Sequence, residues 1–354
     1  MGKETSFAIN RRMLIASVAA AAMPSRLHAR PRPRWDATIS TSGRPGTLRT
    51  IGEAIERLRG LQAPRIFLEP GTFTEKPLID LEGLEIAGSG PDSVVTFAAA
   101  AGLSDPAGRK WGTSGSATMT VTAPGISLSR LTIRNGFDYI EDRRTGASGG
   151  SQAVALSLSR GADRIRVTDC AIEGYQDTLY VQEGCRALFR GTTISGNVDF
   201  IFGGALARFD RCEIRSRFVP GMEVQGYVAA PSTRMSQPTG LVFHECRLTR
   251  EDGLPGGTVY LGRPWRAGNN MDLTGAAAYI DCWMDAHVAP AGWASMGFTD
   301  PSGQRRQLTP EEARLFEYAS NGPGAASGSA TRRLLTDRQA RTMLSPLAFG
   351  DWHP

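Results

Sequence analysis

The sequence predicts an all-β fold, a single-stranded parallel β-helix with capping helices at its ends. Three observations carry this prediction. Residues 120 to 290 are short runs of Val, Ile, Phe and Thr broken by Gly, Asn, Asp and Ser, which is the punctuation of strands. Along that stretch one apolar pattern recurs six times, as the coils of a solenoid would. Capping-box sequences flank the strand-rich region, where the open ends of a solenoid need cover.

Taken from the N-terminus, Asn10-Arg11-Arg12-Met13-Leu14-Ile15 leads into an apolar stretch to Met23 and a small-residue ending, Leu27-His28-Ala29. Residues 1–29 read as an export signal of the twin-arginine type. Its apolar stretch is about 11 residues, well short of the roughly 20 that cross a bilayer. The competing reading is a short Ala-rich helix of the folded protein. Residues 30–354 form one domain, expected in the periplasm or outside a bacterial cell, with no membrane span.

Thr50-Ile51-Gly52-Glu53 has capping-box spacing, and Ile51, Ala54, Ile55 and Leu58 make one apolar helical face behind it. This helix would cover the first coil. The six repeats follow. Each places apolar residues five and three positions before a reference position and two after it. The reference residues are Leu131, Cys170, Thr192, Cys212, Cys246 and Cys282, at spacings of 39, 22, 20, 34 and 36 residues. The two short intervals are single coils, and the longer ones are coils with loops inserted on one side. Cysteines at one position on successive coils would stack as small buried thiols rather than pair. Beyond the repeats, Thr309-Pro310-Glu311-Glu312 predicts a helix with Pro in its first turn, and Thr336 with Gln339 opens another.

Composition narrows the function. The net charge of +5 falls to +2 once the first 29 residues are set aside, so nucleic-acid binding is not implied. Four histidines supply no zinc motif, and five scattered cysteines are no disulfide scaffold. No metal and no cofactor are expected.

The chemistry centres on two carboxylates. Asp177 stands seven residues after Cys170, and Asp199 stands seven after Thr192, so they occupy one place on consecutive coils. Stacked strands lie about 4.8 Å apart. Two carboxyls that close resist ionising together, so one should keep its proton while the other stays anionic. Aromatic residues surround both, in Gly174-Tyr175-Gln176-Asp177-Thr178-Leu179-Tyr180 and Gly196-Asn197-Val198-Asp199-Phe200-Ile201-Phe202-Gly203. Leu261-Gly262-Arg263-Pro264-Trp265 adds a guanidinium beside a stacking ring, able to hold a carboxylate by two hydrogen bonds.

At these three strings, with Gln152-Ala153-Val154-Ala155-Leu156 upstream and Glu317-Tyr318 to Gly322-Pro323-Gly324-Ala325 downstream, the sequence resembles the pectin methylesterases (pectinesterases). The resemblance runs from about Thr38 to Pro354. It implies a right-handed parallel β-helix and the removal of C6 methyl esters from homogalacturonan, giving pectate and methanol. Carried over by position, it implies Asp199 as nucleophile, Asp177 as general acid and then base, Gln176 and Gln152 as oxyanion donors, and Arg263 as the residue that orients Asp199. Tyr175, Phe202 and Trp265 become candidate sugar-binding surfaces, although each could equally be packing. The expected partner is methyl-esterified pectin, met by a monomer. Many relatives pair a cysteine at the Thr192 position with the equivalent of Cys212, and here that bridge cannot form. Gly226 to Arg234 also departs from the family string.

Three alternatives remain open at the level of sequence. Gly146-Ala147-Ser148-Gly149-Gly150 fits a serine-esterase G-x-S-x-G, but lies in a Gly/Ser-rich loop without strand-to-helix context. A carboxylate pair roughly 5 Å apart also suits a retaining glycosidase cleaving polygalacturonate. The acyl substrate could be another ester or thioester.

Overall fold

The structure, a computed structural model, describes Met1, Gly2, residues 35–325 and residues 330–354. Its chain divides into two units, Met1–Arg34 and Trp35–Pro354. The export-signal expectation falls outside the described residues. Within Trp35–Pro354 the chain winds so that successive coils add one strand to each of three parallel sheets. A ten-stranded sheet runs from Ala37–Ile39 to Arg314–Tyr318, an eight-stranded one from Gly71–Thr74 to Trp283–Met284, and a seven-stranded one from Leu78–Ile79 to Val259–Gly262. This is a parallel β-helix. It begins well before residue 120, where the repeat first becomes readable.

Register explains the repeat. In the ten-stranded sheet, Phe189 pairs with Phe209, Phe209 with Phe243 and Phe243 with Tyr279. Their rings stack at 4.7, 4.7 and 4.4 Å between centroids, which keeps one aromatic column in the core. Two places after the reference position, Ile133, Ile172, Ile194, Ile214, Leu248 and Met284 are all fully buried in the same cluster.

Between those apolar positions the chain turns a corner. The residue before each reference position, Arg130, Asp169, Gly191, Arg211, Glu245 or Asp281, has φ between 51° and 58°. Only one of the six is glycine. Side chains accept the strain because this left-handed residue redirects the strand on every coil and its side chain stays outside the core.

The reference column then satisfies the backbone at that corner. The Cys170 N–H donates to Thr192 Oγ1 at 3.4 Å, and the Cys282 N–H to Ser320 Oγ at 3.3 Å. At these two corners the following coil lends a small acceptor to the coil before it. All five cysteines are free and buried. Thr192 continues the series chemically, although its residue type interrupts it.

Thr50 opens the helix Ile51–Leu58 with both hydrogen bonds of a capping box, and Ile51, Ala54, Ile55 and Leu58 are buried on the core. The Glu75 carboxylate accepts from the Ile51 and Gly52 N–H groups at that helix's start. Thr336 caps Asp337–Leu344, which packs Ala340 against Val242, Ala278 and Ile280 on the outer face of the ten-stranded sheet.

The helix predicted at Thr309 does not form. Glu312 does reach back to the Thr309 N–H at 2.9 Å, but the segment is a turn that feeds directly into the strand Arg314–Tyr318. Pairing of all five strand residues with Ala276–Ile280 overrides the local helical signal.

Candidate active site

Strands Leu179–Val181 and Val198–Gly203 pair with Leu179 opposite Ile201. Carried two residues back, that register sets Asp177 opposite Asp199, and the Asp177 N–H donates to the Val198 carbonyl at 3.0 Å. Both aspartates have positive φ, 65° and 49°. Asp199 sits where the pairing of its strand with Gly226–Pro231 slips, between Val198 and Ile201. Such a bulge re-aims a side chain out of strand alternation. The two carboxyls line one cavity of about 330 Å³ on the seven-stranded face, and they are 8% and 7% exposed.

Arg263, at the end of the strand Val259–Gly262, donates Nε to Asp199 Oδ1 at 2.9 Å and Nη2 to Oδ2 at 2.7 Å. Its guanidinium also lies 3.9 Å from the centre of the Tyr227 ring. Burial raises the pKa of both aspartates, but unequally. Asp177 is pushed well above the usual carboxylate range by burial and then by the charge of Asp199, with only partial relief from Arg263. Asp199 is raised by burial and held back by its two hydrogen bonds to Arg263. Of the two, Asp177 is therefore the one driven further towards keeping its proton, and Asp199 the one whose charge Arg263 supports and aims.

Gln152 and Gln176 line the same cavity, and neither side-chain amide has a hydrogen-bond partner among the described residues. Their N–H groups are free to meet a ligand oxygen. Phe202 is buried and stacked on Tyr180 at 4.2 Å, with Trp265 tilted against it at 5.9 Å.

Comparison with known proteins gives the family. Residues 36–333 match the family described as Pectinesterase. The chain belongs to the pectinesterase family. It is 37% identical to Pectinesterase A of Dickeya chrysanthemi, over 90% of this chain and 92% of that protein. The pectin methylesterase PemA from Erwinia chrysanthemi superposes with a TM-score of 0.87 at 36% identity, covering 91% of this chain and 99% of the other. A pectin methylesterase in complex with a hexasaccharide gives 0.86 at 36% identity and the same coverage. The protein is thus a carboxylic ester hydrolase, a pectin methylesterase on a right-handed parallel β-helix.

Within this pectinesterase, the other sequence candidates fall differently. Tyr175 is not among the residues lining the cavity; its ring stacks on Tyr139 at 5.2 Å and carries the Arg217 guanidinium at 3.7 Å. Ser148 of the G-x-S-x-G string donates Oγ to Asp142 at 2.8 Å and is buried, with no histidine beside it in the hydrogen-bond network. Its carboxylate partner is an acceptor that fixes a loop, not a base relay. Thr113, Ser114, Tyr180, Ala230 and Met296 also line the cavity, and sequence reasoning missed them. Tyr227 was missed too, because it lies in the Gly226–Arg234 stretch that departs from the family string. Its signal was available: a Tyr one strand from Arg263, opposite Tyr260.

No helix among the described residues is long and apolar enough to cross a membrane.

Proposed function

We propose that this enzyme hydrolyses the C6 methyl esters of homogalacturonan by aspartate nucleophilic catalysis, releasing pectate and methanol. The observation that carries this reading is the Arg263 fork on Asp199 beside a buried, proton-holding Asp177. Asp199 is charged and fixed in direction, as a nucleophile must be. An Asp199 oxygen adds to the ester carbonyl carbon, and the Gln152 and Gln176 amides receive the negative charge that develops on the carbonyl oxygen. As the bond to the methoxyl oxygen breaks, Asp177 gives its proton to that oxygen and methanol leaves. A mixed anhydride between Asp199 and the galacturonate carboxyl remains. Asp177, now a base, takes a proton from water, whose oxygen attacks the anhydride and frees both carboxylates.

The pair of aromatic walls, Phe202 with Tyr180 and Trp265, suits the apolar faces of pyranose rings. The hexasaccharide held by a relative of 36% identity supports a chain of sugars as ligand. Work outside the cytoplasm, after removal of residues 1–29, fits the N-terminal sequence.

The test is methanol release from highly methylated pectin by mature protein, with reducing ends counted in parallel. Wild type is expected to liberate methanol without new reducing ends. Asp199→Ala should lose about 10⁴-fold or more in turnover and keep its folded spectrum. New reducing ends from the wild type would make it a glycosidase, and an active Asp199→Ala would remove Asp199 from the nucleophile's role.

A further inference from the structure

Lys76 lies outside the set of residues that line the catalytic cavity, yet it is tied to one wall of it. It follows the strand Gly71–Thr74 at the capped end of the solenoid. Its Nζ donates to the carbonyls of Gly115, at 2.9 Å, and Ala117. The same ammonium lies 4.7 Å from the centre of the Trp111 ring and 5.3 Å from that of Phe97. One cation therefore closes over both ends of the stretch from Trp111 to Ala117, whose middle residues Thr113 and Ser114 form a wall of the cavity. The segment is also fixed by Asn135, whose Nδ2 donates to the carbonyls of Ala99, Ser116 and Val154. Asn135 does not titrate, whereas Lys76 can lose the charge that strengthens its bonds to the carbonyls and holds it over the two rings.

We propose that Lys76 is a positioning residue for substrate, a cationic latch that holds the Thr113–Ser114 wall against the cleft. It acts through the segment and never touches the reacting atoms. The inference rests on the reading of the cleft as a pectin site and concerns how tightly the sugar chain is held, not the bond that breaks.

The surroundings make this latch titratable within an accessible range. Burial lowers the lysine to about 8. The charged groups around it on the cap side are Glu75, bound to the start of the helix Ile51–Leu58, and the set Glu56, Arg59 and Asp80, which pair with one another. The segment from Gly112 to Ala117 has no titratable side chain. The latch thus has its full charge below about pH 8 and weakens above it. For folding the sign is opposite. A lysine whose folded value lies below its unfolded one makes the fold gain stability as pH rises from about 8 towards 10. Loosening of the cleft and loss of the fold are therefore separable.

The test compares wild type, Lys76→Met and Lys76→Arg, with KM and kcat on methylated pectin followed from pH 6 to 9.5 and amide exchange read over residues 112–117. Lys76→Met should raise KM about three- to tenfold at pH 7 with kcat within about twofold, and should speed exchange in that segment. Lys76→Arg keeps its charge throughout, so it should restore KM at pH 7 and lack the wild-type rise in KM above pH 8. An unchanged KM and unchanged exchange in folded Lys76→Met would overturn the proposal. So would a rise in KM above pH 8 that persists in Lys76→Arg, a measurement that stands even if the Met variant does not fold. Absence of methanol release by the wild type would instead defeat the pectin reading, and the exchange data would still judge the latch.

Discussion

Two corners of this solenoid use the same backbone device to opposite ends. At the outer corner Asp169 and Asp281 take the left-handed conformation, with φ of 52° and 54°, and their side chains are exposed. At the cleft Asp177 and Asp199 take the same conformation, with φ of 65° and 49°, and are buried against each other. Solvent makes the outer aspartates inexpensive turn residues. Enclosure suits the inner pair to the acid and nucleophile roles proposed for them. The contrast teaches that the repeat supplies the placement, while the chemistry comes from what the repeat does not contain: a bulge at Asp199, a guanidinium from another coil and two unpaired amides.

The sharpest way to test this contrast is to neutralise one inner carboxyl without changing its shape. Asp177→Asn keeps the size and removes the proton donor, so methanol release should fall by about 10²–10⁴-fold. Its effect on folding should have the opposite direction. The folded Asp177 holds a proton that the unfolded chain releases, so its contribution favours the fold at low pH and is lost as pH rises through the raised folded value. Asn carries no such loss and does not repel Asp199. Melting curves should show the variant more stable than wild type at pH 7, by roughly a few degrees, with the difference shrinking towards pH 4. A variant less stable at pH 7 would mean that Asp177 is not held protonated by burial.

The next test removes only the geometry of the partner. Arg263→Lys retains a positive charge but gives up the two-pronged contact with Asp199 and the guanidinium face set over Tyr227. Turnover should fall by about 10–10²-fold, with KM changed little, because a point charge attracts the carboxylate without aiming it. Near-normal kcat would show that charge alone suffices.

Much of this was legible in the sequence, for reasons that differ between the two corners. The outer corner could be read because Phe189, Phe209, Phe243 and Tyr279 recur at one offset from a small polar or thiol residue, and identical surroundings select similar side chains. The early coils could not. Ile66 and Ile86 stand in the same column, but Glu69 and Ser89 occupy the corner after them, and Ser93 Oγ supplies hydrogen bonds to Leu68 and Glu69 that the later coils lack. At the cleft, the offset of 22 residues announced the carboxylate pair. Thr113, Ser114 and Met296 went unread because they arrive from insertions whose length has no period. The failed helix at Thr309 has a related cause: a capping box describes four residues, and the ladder partner of Arg314–Tyr318 lies more than thirty residues upstream.

The smallest effect worth measuring lies in the outer column, at the one reference position in the chain from Cys170 to Cys282 that carries a hydroxyl. Thr192 Oγ1 accepts from the Cys170 N–H at 3.4 Å and donates towards the carbonyls of Arg190 and Val167 at 3.2 and 3.4 Å. None of these bonds is short, so the hydroxyl gains little directly. Its removal nevertheless strands a buried N–H, and the asymmetry between making and orphaning a hydrogen bond then decides the outcome. Thr192→Val preserves shape and should cost about 1–3 kcal/mol of folding stability with kcat unchanged. Thr192→Ser keeps the acceptor and loses one methyl, so it should cost about 1 kcal/mol. Denaturant melts of the two variants decide between readings of the column. If Val is tolerated as well as Ser, the reference position is merely small and apolar, and its cysteines are there to pack. If Val is the worse of the two, the column is a ladder of acceptors, and sulfur and hydroxyl serve it interchangeably.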